Sequence, residues 1–117
     1  LATGLGSYLF YAQHNFPDMK LRCRTDWDYN FAALESSSMF DMGATLNWFT
    51  GNIGYHHVHH LNHRIPFYRL REAMEAIPEL QRPGHTSWHP RDIKGCLRLD
   101  LWSVKDDRMV TFTEAGF

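Results

Sequence analysis

The sequence predicts a chain built mainly of α-helices and closed by a small C-terminal β-hairpin. Three patterns carry this expectation. Residues 1–13 carry no charge and are mostly apolar, which reads as a helix over 1–14. His56, His59 and His60 stand at i, i+3 and i+4, the spacing that brings side chains to one helix face. Leu97, Leu99 and Leu101 alternate with Arg98 and Asp100, Asp106-Asp107 offers a turn, and Val110 and Phe112 resume the alternation, so 97–112 reads as an antiparallel hairpin.

Length and charge narrow the function classes. At 117 residues the chain fits one small domain, and a net charge of -1 gives no electrostatic case for nucleic acid as a partner. Cys23 and Cys96 are far apart and form no Cys-x-x-Cys, so neither a zinc ribbon nor a disulfide framework is expected, and a reducing cytoplasm is compatible. The opening run lacks the basic region of a signal peptide and is shorter than the ~20 residues that cross a bilayer. It reads as the cut end of a membrane helix, which makes the chain part of something longer.

In chain order, Gly4 and Gly6 suit a membrane helix better than a soluble one. His14 ends the run, and taken alone it reads as an interfacial or core residue. Residues 15–25 form a polar connection through Pro17 and Asp18; Lys20, Arg22 and Arg24 there, with Arg64 beyond, favour the cytoplasmic side. Asp26 is placed to cap a short helix over Trp27–Leu34, and Ser36-Ser37-Ser38 breaks it. Trp27, Tyr29 and Phe31 read as packing residues. From Met39 to Phe49 the apolar positions settle on neither the helical nor the extended period. Gly51 and Gly54 bracket Asn52, which is placed either to begin the His-bearing helix or to orient a ligand imidazole. Pro66 opens an amphipathic helix through Phe67, Leu70, Met74 and Ile77, ending near Pro78; its mixed charge favours packing over a membrane-surface role. Gln81-Arg82-Pro83-Gly84 is a breaker ahead of the hairpin.

The chemistry concentrates in Gly54-Tyr55-His56-His57-Val58-His59-His60-Leu61-Asn62-His63. Neutral imidazole is a common ligand for transition metals, and the run contains no carboxylate of the kind that suits magnesium or calcium. A soft-to-borderline transition metal is expected. The zincin motif would need Glu where His57 stands, and no Glu is followed three residues later by His, as a ferritin-like site requires. The competing reading is a surface cluster with fortuitous affinity. His57 projects about 100° from His56, whereas His63, at i+7, lies nearly on the His56 face and is admitted as a ligand by helical geometry alone.

The run Asn47-Trp48-Phe49-Thr50-Gly51-Asn52-Ile53-Gly54-Tyr55-His56-His57-Val58-His59-His60-Leu61, with Arg64-Ile65-Pro66-Phe67-Tyr68, closely resembles the third histidine box of membrane fatty acid desaturases, particularly bacterial acyl-lipid enzymes of the delta-12 (omega-6) type. Phe10-Tyr11-Ala12-Gln13-His14-Asn15-Phe16, Trp27-Asp28-Tyr29 and Ala32-Ala33-Leu34 also look like that family. The resemblance implies an all-α membrane fold, with 1–80 as the C-terminal part of the desaturase domain and 81–117 as a cytosolic tail. It implies that His14, His56, His59 and His60 are metal ligands of a two-iron centre shared with two histidine boxes absent from these residues, while His57 and His63 fall at variable positions. It places Met39–Phe49 beside the acyl chain's path. His85-x-x-x-His89 has the spacing of the first box, but that box belongs to a helix of the N-terminal half, and here Pro83, Gly84 and Pro90 flank the pair.

The implied activity is dioxygen-dependent insertion of a cis double bond into a fatty acyl lipid, with electrons from cytochrome b5 or a ferredoxin. Breaking an unactivated C–H bond needs an oxidant that side chains alone do not supply. The implied location is an integral membrane protein with its active site and tail on the cytoplasmic side. The chain supplies about half a site and is expected to be inactive alone. Two rivals remain: a histidine-box hydroxylase or ketolase, and a non-enzymatic His-rich metal-binding module.

Overall fold

The uncharged opening run folds as α1 (Ala2–His14) in the computed structural model, which describes residues 1–117. A polar connection leads to α2 (Tyr29–Glu35). Its cap is Asp28 rather than Asp26: the Asp28 carboxylate accepts from the Phe31 N–H at 2.8 Å, satisfying one of the donors that a helix start leaves free. The serines end it as expected. The Ser36 N–H bonds the Ala32 carbonyl, and Ser37 Oγ donates to the Ala33 carbonyl at 2.6 Å.

The ambiguous stretch from Met39 to Phe49 divides into β1 (Ser38–Asp41) and α3 (Gly43–Phe49). The histidine run forms α4 (His56–Leu61). The amphipathic helix is split into a 3-10 turn at Phe67–Arg69 and α5 (Leu70–Ala76), followed by a second 3-10 turn at Pro78–Gln81. Then come β2 (Gly84–Ser87), α6 (Pro90–Leu97), β3 (Leu101–Ser103) and β4 (Arg108–Val110).

The fold is therefore mostly helical with two small sheets, and the expectation of an all-α body is corrected. β1 and β2 pair in parallel, Ser38 opposite Gly84 through Asp41 opposite Ser87. The hairpin is present but shorter than 97–112: Leu101 faces Val110, Trp102 faces Met109 and Ser103 faces Arg108, with Asp107 in the left-handed region of the turn at φ 50°. Leu97 belongs to α6 instead. Pro90 stands in that helix's first turn, where its missing N–H costs nothing, and the His89 ring accepts from the Arg91 N–H, so a helix starts there and consumes the first residue of the alternation.

Two apolar clusters hold these elements. Ala12, Phe16, Met19, Phe40, Met42, Cys96 and Met109 form the larger, so the opening helix and the tail share one core. Gly84 is required there, because a Cβ would meet the Phe16 ring at 2.5 Å. Val58, Leu70 and Leu80 form the smaller, which seats α4 on α5. Cys23 and Cys96 are free thiols. No helix is long and apolar enough to cross a membrane.

Candidate metal centre

The site begins with how α4 is seated. Val58 is fully buried in the smaller cluster. His57 is also fully buried, and its Nε2 lies 3.0 Å from the Leu80 carbonyl. A carbonyl only accepts, so that nitrogen carries the proton and His57 is spent on anchoring the helix. Gly54 lets the chain approach closely just before α4, since a Cβ there would run into the Phe40 carbonyl at 2.6 Å and into the Asn47 side chain. Both α1 and α4 contact β1. Buried Gln13 ties them further, donating from Nε2 to the Ile53 carbonyl at 2.8 Å.

With α4 rolled this way, His56 and His60 aim at His14 at the end of α1. His56 Nε2 lies 2.8 Å from His14 Nε2 and 3.0 Å from His60 Nε2, and the ligand atoms of all three fall within 4.8 Å of one another. The three rings stand nearly edge to face, with centroids 4.5–4.9 Å apart. His59 lies outside this trio; its ring stacks on His56 at 6.0 Å with a 28° interplanar angle. His63 is exposed beyond the end of α4, where Asn62 turns extended, so the i+7 argument does not reach it. Asn52 neither caps α4 nor holds an imidazole. It sits in a left-handed turn beside Gly51, with Tyr55 at the helix start, and its Nδ2 donates to the Phe67 carbonyl at 3.0 Å. His85 lies in β2 and His89 caps α6, away from the trio.

Electrostatics keep the cluster ready for a cation. Burial, reinforced by His60, His14, His59 and His57, pushes His56 down to about 3. Burial lowers His60 as well, with His14 and His59 adding, and takes His57 down to about 4. The imidazoles are therefore neutral at pH 7, the state that offers a lone pair.

The donor set fits a transition metal. A single ring nitrogen carries either one proton or one lone pair, yet His56 Nε2 faces two other imidazole nitrogens, more than its hydrogen-bonding capacity can serve. A cation shared among the three resolves that excess.

Sequence reasoning reached the three clustered histidines but missed their supports. Gln13 and Gly54 gave no signal beyond their neighbourhood, and Tyr29, whose hydroxyl donates to the His60 carbonyl at 2.6 Å, reads from sequence as a packing residue.

Comparison with known proteins places this geometry in a family. The fatty acid desaturase family model matches residues 1–92. Over 112 residues the chain is 45% identical to a fatty acid desaturase of Bacillus subtilis, covering 96% of this chain and 31% of that protein. Over 45 residues it is 44% identical to a sphingolipid delta(4)-desaturase of Drosophila melanogaster, covering 37% of this chain and 14% of that one. The chain thus spans about a third or less of the length of these relatives. No solved structure matches it. Matched by the family model over most of its length and carrying three converging imidazoles within that match, the chain belongs to the fatty acid desaturase family.

Proposed function

We propose that the chain supplies the C-terminal share of the metal centre of a membrane fatty acid desaturase, an oxidoreductase that uses dioxygen to place a cis double bond in a fatty acyl lipid. The observation that carries this reading is the meeting of His14 with His56 and His60 from separate elements of the fold. His14, His56 and His60 would hold the metal, with His59 as the further ligand that the family's motif assigns. The remaining ligands of a two-iron centre would come from histidine boxes outside these residues. Bound iron would supply the one-electron and dioxygen chemistry that side chains lack.

The chain's own residues do the rest. His57 fixes the roll of α4 through Leu80, burial keeps His56 an unprotonated donor, and Gln13 holds the end of α1 against the segment before α4. Lys20, Arg22 and Arg24 directly after α1 support a cytoplasmic placement of the site and tail in an integral membrane protein. Electrons would come from cytochrome b5 or a ferredoxin.

The test is the full-length protein in cells that make monounsaturated lipids. His14→Ala, His56→Ala and His60→Ala should each lower bound iron and the yield of new double bonds by about 100-fold or more, since loss of even an outer partner of a metal ligand costs about 10–100-fold. Wild-type yields from His56→Ala would end the metal-site reading. Residues 1–117 expressed alone should add no double bond.

A further inference from the structure

One short helix reaches two of the three imidazoles without supplying a ligand. α2 packs on α4, and the pocket against His14 and His60 is otherwise lined wholly by residues of α2 and its flanks. At the start of α2 the Tyr29 hydroxyl donates to the His60 carbonyl at 2.6 Å. That carbonyl lies in the last turn of α4, where a helix leaves its acceptors without an intrahelical partner. The N–H four residues on, that of Arg64, is spent on Asn62 Oδ1 at 3.0 Å. A helix of six residues is marginal by itself, so the donor that Tyr29 supplies bears directly on the turn that carries His60. The Tyr29 ring is 47% exposed, and its hydroxyl is what ties it to α4.

At the other end of α2, the Ser36 carbonyl accepts from the His14 ring. His14 Nε2 points at His56 Nε2, so the donor is Nδ1, and a neutral imidazole with its proton on Nδ1 keeps the lone pair on Nε2. A ligand imidazole ordinarily gives its other N–H to a carbonyl or carboxylate in this way. Ser36 is itself held in place. Its Oγ donates to the Lys20 carbonyl at 2.5 Å, and the Lys20 N–H donates to the Glu35 carbonyl at 2.9 Å, so the end of α2 is stitched to the segment that follows His14.

We propose that α2 is a brace for the metal ligands, in which Tyr29 fixes the last turn of α4 at His60 and Ser36 fixes the His14 ring in the tautomer that offers Nε2. The assignment rests on the metal-centre reading and adds Tyr29 and Ser36 to it as positioning residues, which hold ligands without touching the ion. Because both bonds come from one seven-residue helix, the brace also sets the spacing between His14 and His60, which α1 and α4 present from separate parts of the chain.

Full-length protein in detergent, stripped of iron and titrated with Co(II), tests this through affinity and the visible absorption of the bound ion, without turnover. Tyr29→Phe removes one oxygen and keeps the ring. It should weaken Co(II) binding by about 10-fold or more and shift the ligand-field bands, the scale on which a ligand's outer partner acts. Ser36→Ala should weaken binding likewise, and Ser36→Thr, which keeps a hydroxyl for Lys20, should restore it. Tyr8→Phe removes a bond of the same kind, from a hydroxyl to the Ser87 carbonyl at 3.2 Å beside the larger core, and should leave affinity and bands as in wild type. That comparison separates positioning from general loosening. Wild-type affinity and bands in Tyr29→Phe, an equal loss in Tyr8→Phe, or a loss in Ser36→Ala that Ser36→Thr does not restore overturns the proposal. A wild-type protein that binds no Co(II) sinks the metal-centre reading and the brace with it, whereas wild-type binding that neither Tyr29→Phe nor Ser36→Ala disturbs sinks the brace alone.

Discussion

Adjacent histidines on α4 have opposite tasks, and single substitutions should separate them. His57 is fully buried with its Nε2 on the Leu80 carbonyl, so His57→Ala leaves a void and an unpaired acceptor. It should cost about 2–4 kcal/mol in urea unfolding, while the protein that remains folded keeps its metal stoichiometry. His63→Ala, by contrast, alters an exposed side chain past the helix end and should stay within about 0.5 kcal/mol of wild type with iron retained. Iron lost from His63→Ala would return that residue to the ligand set. The i, i+3, i+4 spacing made the facing of His56 and His60 legible in the sequence, because local helical geometry needs no tertiary information. What the spacing could not show is where α4 stops, and that alone disqualifies extrapolation to His63. The partner of His57 was equally hidden, since Leu80 belongs to a turn that meets α4 only through packing.

Among elements, α2 gives the sharpest contrast between a cap and its near neighbour. Asp28→Ala removes the acceptor of the Phe31 N–H and should cost about 1 kcal/mol, whereas Asp26→Ala, outside the helix, should be close to neutral in the same thermal melt. A larger loss for Asp26→Ala would shift the helix start back. The uncharged apolar run of α1, the i, i+4 histidines of α4 and the helical spacing of Leu70, Met74 and Ile77 around α5 made those helices legible, and so was the hairpin turn at Asp106-Asp107. β1 and β2 were not. Each is only four residues long, and the alternation in β1 becomes visible only once Ser38 and Phe40 are seen to be buried. α6 was masked differently: the leucines at 97, 99 and 101 repeat with a strand's period across a helix end, a turn and a strand, so a real pattern spans three structures. Gly54→Ala tests the junction between β1, α3 and α4, since its methyl group must displace both the Phe40 carbonyl and the Asn47 side chain. It should lower the melting temperature and metal affinity together, because the clash displaces the start of the His-bearing helix.

Across the whole molecule, the metal would join elements that contact each other little by themselves. α1 and α4 are both held through β1 and through the Gln13–Ile53 bond, and the imidazoles meet at their ends. An ion at 100 times its dissociation constant should stabilise the folded chain by about 2.7 kcal/mol, raising the melting temperature by roughly 10 °C. His14→Ala should abolish that rise although it lies on another element than His56 and His60; a full rise in His14→Ala would remove α1 from the site. The parallel pairing of β1 with β2 adds a constraint of another kind. Residues 42–83, including α4, form the excursion between two strands that lie side by side only after Gly84–Ser87 has been made. During synthesis His14 leaves the ribosome first and the histidine run follows, but the strand on which both helices rest lacks its partner until β2 emerges. Iron delivered to a nascent chain ending before Gly84 would meet imidazoles without their frame, so loading of this centre belongs after translation has passed the second strand.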